Sequence, residues 1–94
     1  MEFEWDKAKA AANFKKHEVT FDEASTVFSD PLARIFDDTE HSAEERREII
    51  VGHSILGRLL LVYFTEREAD VIRLFSARET TRKERQDYEE NTRY

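Results

Sequence analysis

Three arginines, Arg73, Arg78 and Arg82, crowd the stretch VIRLFSARETTRKERQDYEE, where a strand-like segment runs into a charged helix. A planar guanidinium can grip two phosphate oxygens at once, so this crowding points to phosphate chemistry. A helix start beside a sheet edge also offers free amides to the same anion. Arg58 and Arg67 flank the preceding β-like segment, Lys16 and His17 close the first helical one, and Tyr88 brings a phenol on the last. His17 offers an imidazole, the side-chain type suited to a general base. Cations that stabilise charge developing on a phosphate, with a base and an acid to move protons, are what phosphoryl chemistry requires. His17, His41 and His53 fall in separate segments without ligand-like spacing, so neither a metal nor another cofactor is expected.

Each residue also has a quieter role open to it. Arg78 could pair with Glu79, Glu84 or an N-terminal acid, and Arg67 and Arg73 with nearby acids. Arg58 could cap a solvated hairpin end, and Arg82 and Arg85 could belong to a solvated helix face. His17 suits a helix C-terminus for its dipole alone. Trp5 and Phe14 could stack a base or pack the first helix, and Tyr88 could pack against the sheet.

These residues sit in 94 residues of net charge −6, enough for one domain spanning 1–94. Hydrophobic residues make up 39%, with seven Phe and one Trp, so a real core is possible. Two Gly and one Pro argue against a loop-rich chain. The absence of Cys rules out disulfides and thiolate metal sites. No apolar run approaches a membrane span and MEFEWDKAKA is not a signal peptide, so a soluble cytoplasmic protein is expected. Residues 1–57 hold thirteen acids against seven bases, while residues 58–94 balance eight against eight. That asymmetry argues against purely electrostatic nucleic-acid binding and favours a basic protein partner.

Asp6 is the expected cap of a helix to about Lys16, with Trp5 stapled onto its first turns and Ala8, Ala11 and Ala12 forming a face that lies close to a sheet. Thr20 and Glu23 read as a capping box for a second, short helix stopped by Asp30-Pro31. Strands are expected over LARIFD, 46–54, 58–66 and 70–77, joined by short links and therefore antiparallel, with an acidic loop over 39–45. Leu59 to Val62 is apolar on both faces, as a covered central strand would be. Thr81 and Glu84 form a second capping box, opening a helix to about Asn91. The expectation is an α+β fold: two N-terminal helices, a twisted antiparallel four-stranded sheet and a C-terminal helix. A turn at residues 68–69 sets Arg78 beside Leu59 and Arg58 beside Glu79. Arg58 and Arg78 then converge, with Arg82 one turn further on and Arg67 at the far end, on the order of 25 Å away at about 3.3 Å per residue.

The blocks FEWDKAKAAANFKKH, VTFDEASTVFSDPLA, EERREIIVGHS, LLLVYFTER and IRLFSARETTRKERQDYEE together resemble the BrnT toxin family, in the right order and over nearly the whole chain. The resemblance implies a small cytoplasmic ribonuclease of RelE-like fold, from a toxin–antitoxin pair, cleaving RNA without metal. It implies a cognate antitoxin with a DNA-binding domain of ribbon-helix-helix type, and contact with operator DNA only through that antitoxin. By similarity to RelE-type toxins, Arg58, Arg78 and His17 are the expected catalytic residues. Lys16, Arg67, Arg73, Arg82 and Tyr88 are the expected RNA-binding ones. The chain departs from relatives at His17-Glu18, often His-Gly, and at Glu79, where many carry a second basic residue. The rival expectation is a catalytically weak module that holds the antitoxin and co-represses the operon. A small-ligand domain has no Gly-rich loop or pocket motif behind it.

Overall fold

A computed structural model of the chain describes residues 1–40 and 45–92; His41 and most of the expected acidic loop lie outside them. The elements run β1 (Glu2–Glu4), α1 (Lys7–His17), α2 (Phe21–Thr26) followed by a 3-10 turn (Val27–Ser29), β2 (Arg34–Asp37), β3 (Glu48–His53), β4 (Leu59–Glu66), β5 (Val71–Glu79) and α3 (Arg82–Thr92). The five strands form one mixed sheet in the order β1-β5-β4-β3-β2. The sheet is therefore five-stranded and mixed, not four-stranded and antiparallel. The addition is β1, three residues pairing in parallel with β5 from Glu2↔Val71 to Glu4↔Arg73. A segment that short carries no periodicity to read, and its partner lies at the other end of the chain.

The helix caps form where the local sequence signals place them. Asp6 accepts from Lys9 N at 2.9 Å, and Thr20 accepts from Glu23 N at 3.0 Å. Thr81 and Glu84 close a full reciprocal box, with Thr81 N donating to Glu84 Oε1 at 2.8 Å and Glu84 N to Thr81 Oγ1 at 3.2 Å. Glu23 does not reach back to Thr20 as a second box would require; its carboxylate is taken by Ser54 and Arg58. Trp5, just ahead of α1, meets Phe21 edge-on at 5.8 Å and packs against the larger core.

The central strand β4 is buried from Leu59 to Val62, and the two sheet faces carry separate cores. Leu60, Val62, Phe64, Ile72, Leu74 and Ala77 pack under α1 and α2 against Val19, Phe21, Ala24 and Val27. Leu59, Leu61, Val51 and Tyr88 of α3 form a smaller cluster on the opposite face. Period-2 alternation fixes which strand residues join which core.

α1 meets the sheet differently from expectation. Ala8, Ala11 and Ala12 are exposed, and Asn13 is the buried residue. Asn13 Nδ2 donates to Ala77 O at 2.9 Å and to Val19 O at 3.0 Å, while its Oδ1 accepts from Ala77 N at 3.0 Å. Beyond Glu4 the outer edge of β5 has no strand beside it among the described residues, and the amide side chain takes the place of a ladder partner for both backbone groups of Ala77. α1 thus runs along the sheet edge, leaving one of its flanks beside the α3 side of the sheet. The helix ends at Glu18, whose left-handed conformation (φ 57°) turns its N–H onto Phe14 O at 2.8 Å.

Candidate nucleic-acid groove

β4 and β5 set the register that decides where each candidate points. Leu61 faces Arg78 and Tyr63 faces Ser76, but Phe64 faces Leu74, so Phe75 is an extra residue in a β-bulge. The hairpin ends in a tight turn with Arg67 N donating to Val71 O at 2.7 Å, and Ala69 and Asp70 take positive φ angles. Arg78 accordingly lies two residues along from the expected position beside Leu59. The bulge adds one residue of that offset, and sequence spacing gives no sign of it.

With this register Arg58 and Arg78 point to opposite faces. Arg58 lies on the α2 side, where Nε donates to Glu23 Oε2 at 2.9 Å and Nη2 contacts Glu23 Oε1 directly. Nη2 also donates to Glu18 O at 3.0 Å, and Glu79 is 3.5 Å from Nη1. Glu23 is only 7% exposed. The Arg58 hydrogen bonds hold its carboxyl below the usual range against the opposing effect of burial, with Ser54 helping. Arg78 lies on the α3 side, forked onto Glu84 by Nη1–Oε1 at 2.8 Å and Nη2–Oε2 at 3.0 Å. That fork lowers the Glu84 pKa to about 2. The expected convergence of Arg58 and Arg78 is therefore corrected: each sits in its own ion pair, with the sheet between them.

The remaining arginines divide similarly. Arg67 and Arg73 share Glu4, at 3.4 and 3.0 Å. Arg82 is exposed on the first turn of α3. Tyr88 is 6% exposed in the smaller core, its hydroxyl donating to Leu32 O at 3.2 Å and reaching Asp30 Oδ2 at 3.4 Å. Burial pushes its phenol pKa up. It is a packing residue, which corrects its expected place at an RNA surface. His53 sits 3.7 Å from the Asp30 carboxylate and edge-on to Tyr88. Among the described residues no three His, Cys, Asp or Glu side chains gather as metal ligands would.

What does converge is a groove of about 440 Å³ between α1 and the open part of the α3-side face. Lys9, Lys16 and His17 come from α1; Arg47 and Asp38 from the chain beside β3; Tyr63 from β4; and Phe75 and Ser76 from the bulge of β5. Phe75 forms the floor, with the Arg47 guanidinium 3.9 Å and Lys9 Nζ 5.5 Å from its ring centroid. Such contacts hold cations over an aromatic surface at the edge of a bulge. Arg78 borders the groove, diagonal to Tyr63 across β4 and β5 on the same face. Of the sequence candidates, the groove brings together Lys16 and His17, with Arg78 at its margin. Lys9, Arg47, Tyr63, Phe75 and Ser76 were missed. Helical spacing alone, Lys9, Lys16 and His17 on one flank, could have found the first of them.

The groove can place cations, an imidazole and a phenol around one phosphodiester, on the face that α3 leaves uncovered. No helix among the described residues is long and apolar enough to cross a membrane. No curated protein sequence matches the chain. In fold it resembles the 1.1 Å crystal structure of the Brucella abortus ribonuclease toxin BrnT, with a TM-score of 0.68 and 21% identity over 87% of this chain and 99% of that one. Residues 5–84 match the family model described as the BrnT ribonuclease toxin of type II toxin–antitoxin systems. The chain belongs to the BrnT family of ribonuclease toxins.

Proposed function

We propose that the protein is a metal-independent endoribonuclease and that the groove between α1 and the α3-side face is its active site. The observation that carries this reading is the meeting of Lys9, Lys16, Arg47 and His17 around one concave surface in a chain whose net charge is −6. His17 takes the proton of the attacking 2′-hydroxyl. Lys16, Lys9 and Arg47 face the negative charge that builds on the phosphorane, where fixed cations lower the barrier most. Arg58, on the other face in its pair with Glu23, has no part in the chemistry. Arg67 and Arg73, paired with Glu4 further along β5, suit RNA outside the scissile bond, and Arg82 suits a flanking phosphate.

Family membership implies an antitoxin partner. The further reading is that this antitoxin carries a ribbon-helix-helix DNA-binding domain, that operator DNA is met only through it, and that the toxin acts in the cytoplasm. A second reading has one observation in its favour. Arg58 and Arg78 are both already matched by carboxylates, as they would be in a catalytically weak module kept for antitoxin binding.

The deciding experiment is cleavage of free and ribosome-bound RNA by purified, antitoxin-free protein in EDTA. Wild type is compared with His17→Ala and Arg78→Ala, each checked for folding by thermal melting. Cleavage by wild type, reduced about 10²-fold or more in His17→Ala, is expected for a lost general base. No cleavage of either RNA by folded wild type overturns the nuclease and leaves the module.

A further inference from the structure

Among the described residues, Tyr63 is the tyrosine that both lines the groove and lies diagonal, across β4 and β5, to a cation whose geometry is fixed. That cation is Arg78. Two of its nitrogens are forked onto Glu84, and Nη1 also donates to Glu79 O at 3.2 Å. Glu84 is held in turn by the Thr81 amide through the α3 capping box. A guanidinium tied at both terminal nitrogens does not swing out to follow a phosphate. It stays where the sheet puts it, diagonal to Tyr63, because Ser76 is the residue facing Tyr63 and Arg78 is two residues on from Ser76 on the same face. Diagonal cross-strand neighbours are within reach of long side chains.

We propose that Tyr63 is a catalytic residue, the proton donor to the leaving oxygen, and that Arg78 and Glu84 are positioning residues that act through it. The inference rests on the ribonuclease reading of the groove. The step balances as follows. His17 accepts the 2′-hydroxyl proton while the bond from that oxygen to phosphorus forms. The bond from phosphorus to the 5′-oxygen breaks, and the Tyr63 phenol gives its proton to that oxygen. The products are a 2′,3′-cyclic phosphate and a 5′-hydroxyl. Tyr63 is left as a phenolate beside the Arg78 cation, and proton return from His17 by way of solvent resets both groups. Arg78 thus contributes by stabilising the charge left on Tyr63, and Glu84 by keeping Arg78 in that place.

The test compares ordinary RNA with an RNA carrying sulfur in place of the scissile 5′-oxygen, whose thiolate leaves without a proton. Tyr63→Phe is expected to lose about 10²–10⁴-fold on ordinary RNA and to stay within a few-fold of wild type on the sulfur substrate. Glu84→Gln keeps a residue competent for the capping box but removes the charge that forks Arg78. It is expected to show the same pattern in smaller degree, as a fall in kcat with KM little changed. Thr81→Ala weakens the cap without touching the fork, and is expected to lower the melting temperature but not the rate below it. Should Tyr63→Phe not fold, a fluorinated tyrosine at position 63 serves instead, and the alkaline limb of the rate profile is expected to move to lower pH. Equal losses on both substrates, no loss in Tyr63→Phe, or an unmoved alkaline limb overturns the proposal while the nuclease stands. Wild type inactive on every RNA overturns the nuclease and this proposal with it.

Discussion

Arg58 and Glu23 hold together segments 35 residues apart in the chain, and the pair shows how a single side chain can look catalytic and be structural. Glu23 is nearly buried, so removing its partner leaves a carboxylate in poor solvent. Truncation of a buried ion pair on one side is costly, and Arg58 is partly exposed, so the lower part of that range applies. Arg58→Ala is expected to lose about 3 kcal/mol of stability in urea unfolding, with cleavage per folded molecule unchanged. Adding Glu23→Gln should recover part of the loss, because the uncompensated charge goes with it. The sequence makes the crowding of arginines at the strand–helix junction legible, and it offered Glu84 as a partner for Arg78 because the two are close in the chain. It does not make Glu23 legible as the partner of Arg58, since Glu23 reads locally as the third residue of a capping box. The Tyr63 phenol was equally hidden within a run of strand formers.

Among the elements, the contact of α1 with β5 decides whether the groove exists. Asn13 is 6% exposed and makes three hydrogen bonds to backbone groups of Val19 and Ala77. Asn13→Ala strands those groups away from water, and an unsatisfied buried polar group costs about 1–3 kcal/mol. A loss of roughly 2–4 kcal/mol is expected on that basis, seen as a lower urea midpoint with an unchanged slope. Faster amide exchange at Ala77 should accompany it. Caps, the Asp30-Pro31 stop and the antiparallel hairpins were legible because each is a local pattern. The parallel β1 strand was not, because pairing over some seventy residues leaves no local trace. The facing of α1 was misread for a related reason: small residues suggest close approach, but an open strand edge selects for hydrogen bonds. The bulge at Phe75 turned a near-correct register into the wrong positions for Arg78.

Charge acts on the whole molecule in two opposed ways. The chain is acidic overall, yet the groove collects Lys9, Lys16 and Arg47. RNA affinity should therefore be modest and depend on few contacts. With about 0.7 counterions released per neutralised phosphate of a single strand, three contacts give a slope of about −2 for log affinity against log salt. Lys16→Ala is expected to reduce that slope by roughly 0.7, measured by fluorescence anisotropy. Acid should unfold the protein through carboxylates held below their usual range. Glu84 is at about 2 against a reference of 4.5, lowered by the Arg78 hydrogen bonds, and Glu23 is lowered by those from Arg58. Asp30 is also lowered: burial raises it, but the amides of His53 and Leu32, the His53 ring and the Tyr88 hydroxyl together lower it more. A depressed folded-state pKa gives stability that is complete above the unfolded value and fades as pH falls through the folded one. For Glu84 that window runs from about 4.5 down to about 2. Glu84→Gln should flatten the fall of stability with acid in that window, measured as urea midpoints at several pH values.

The location of RNA on the molecule can be read directly from amide shifts. A short RNA with a 2′-deoxy sugar at the scissile position binds without being cleaved, and can be titrated into ¹⁵N-labelled protein. Shifts concentrated at Lys16, His17, Tyr63, Phe75 and Ser76, with Thr20, Glu23 and Arg58 unmoved, are the expected result. Shifts centred on Glu23 and Arg58, with the groove silent, would contradict the placement of the active site on the α3-side face.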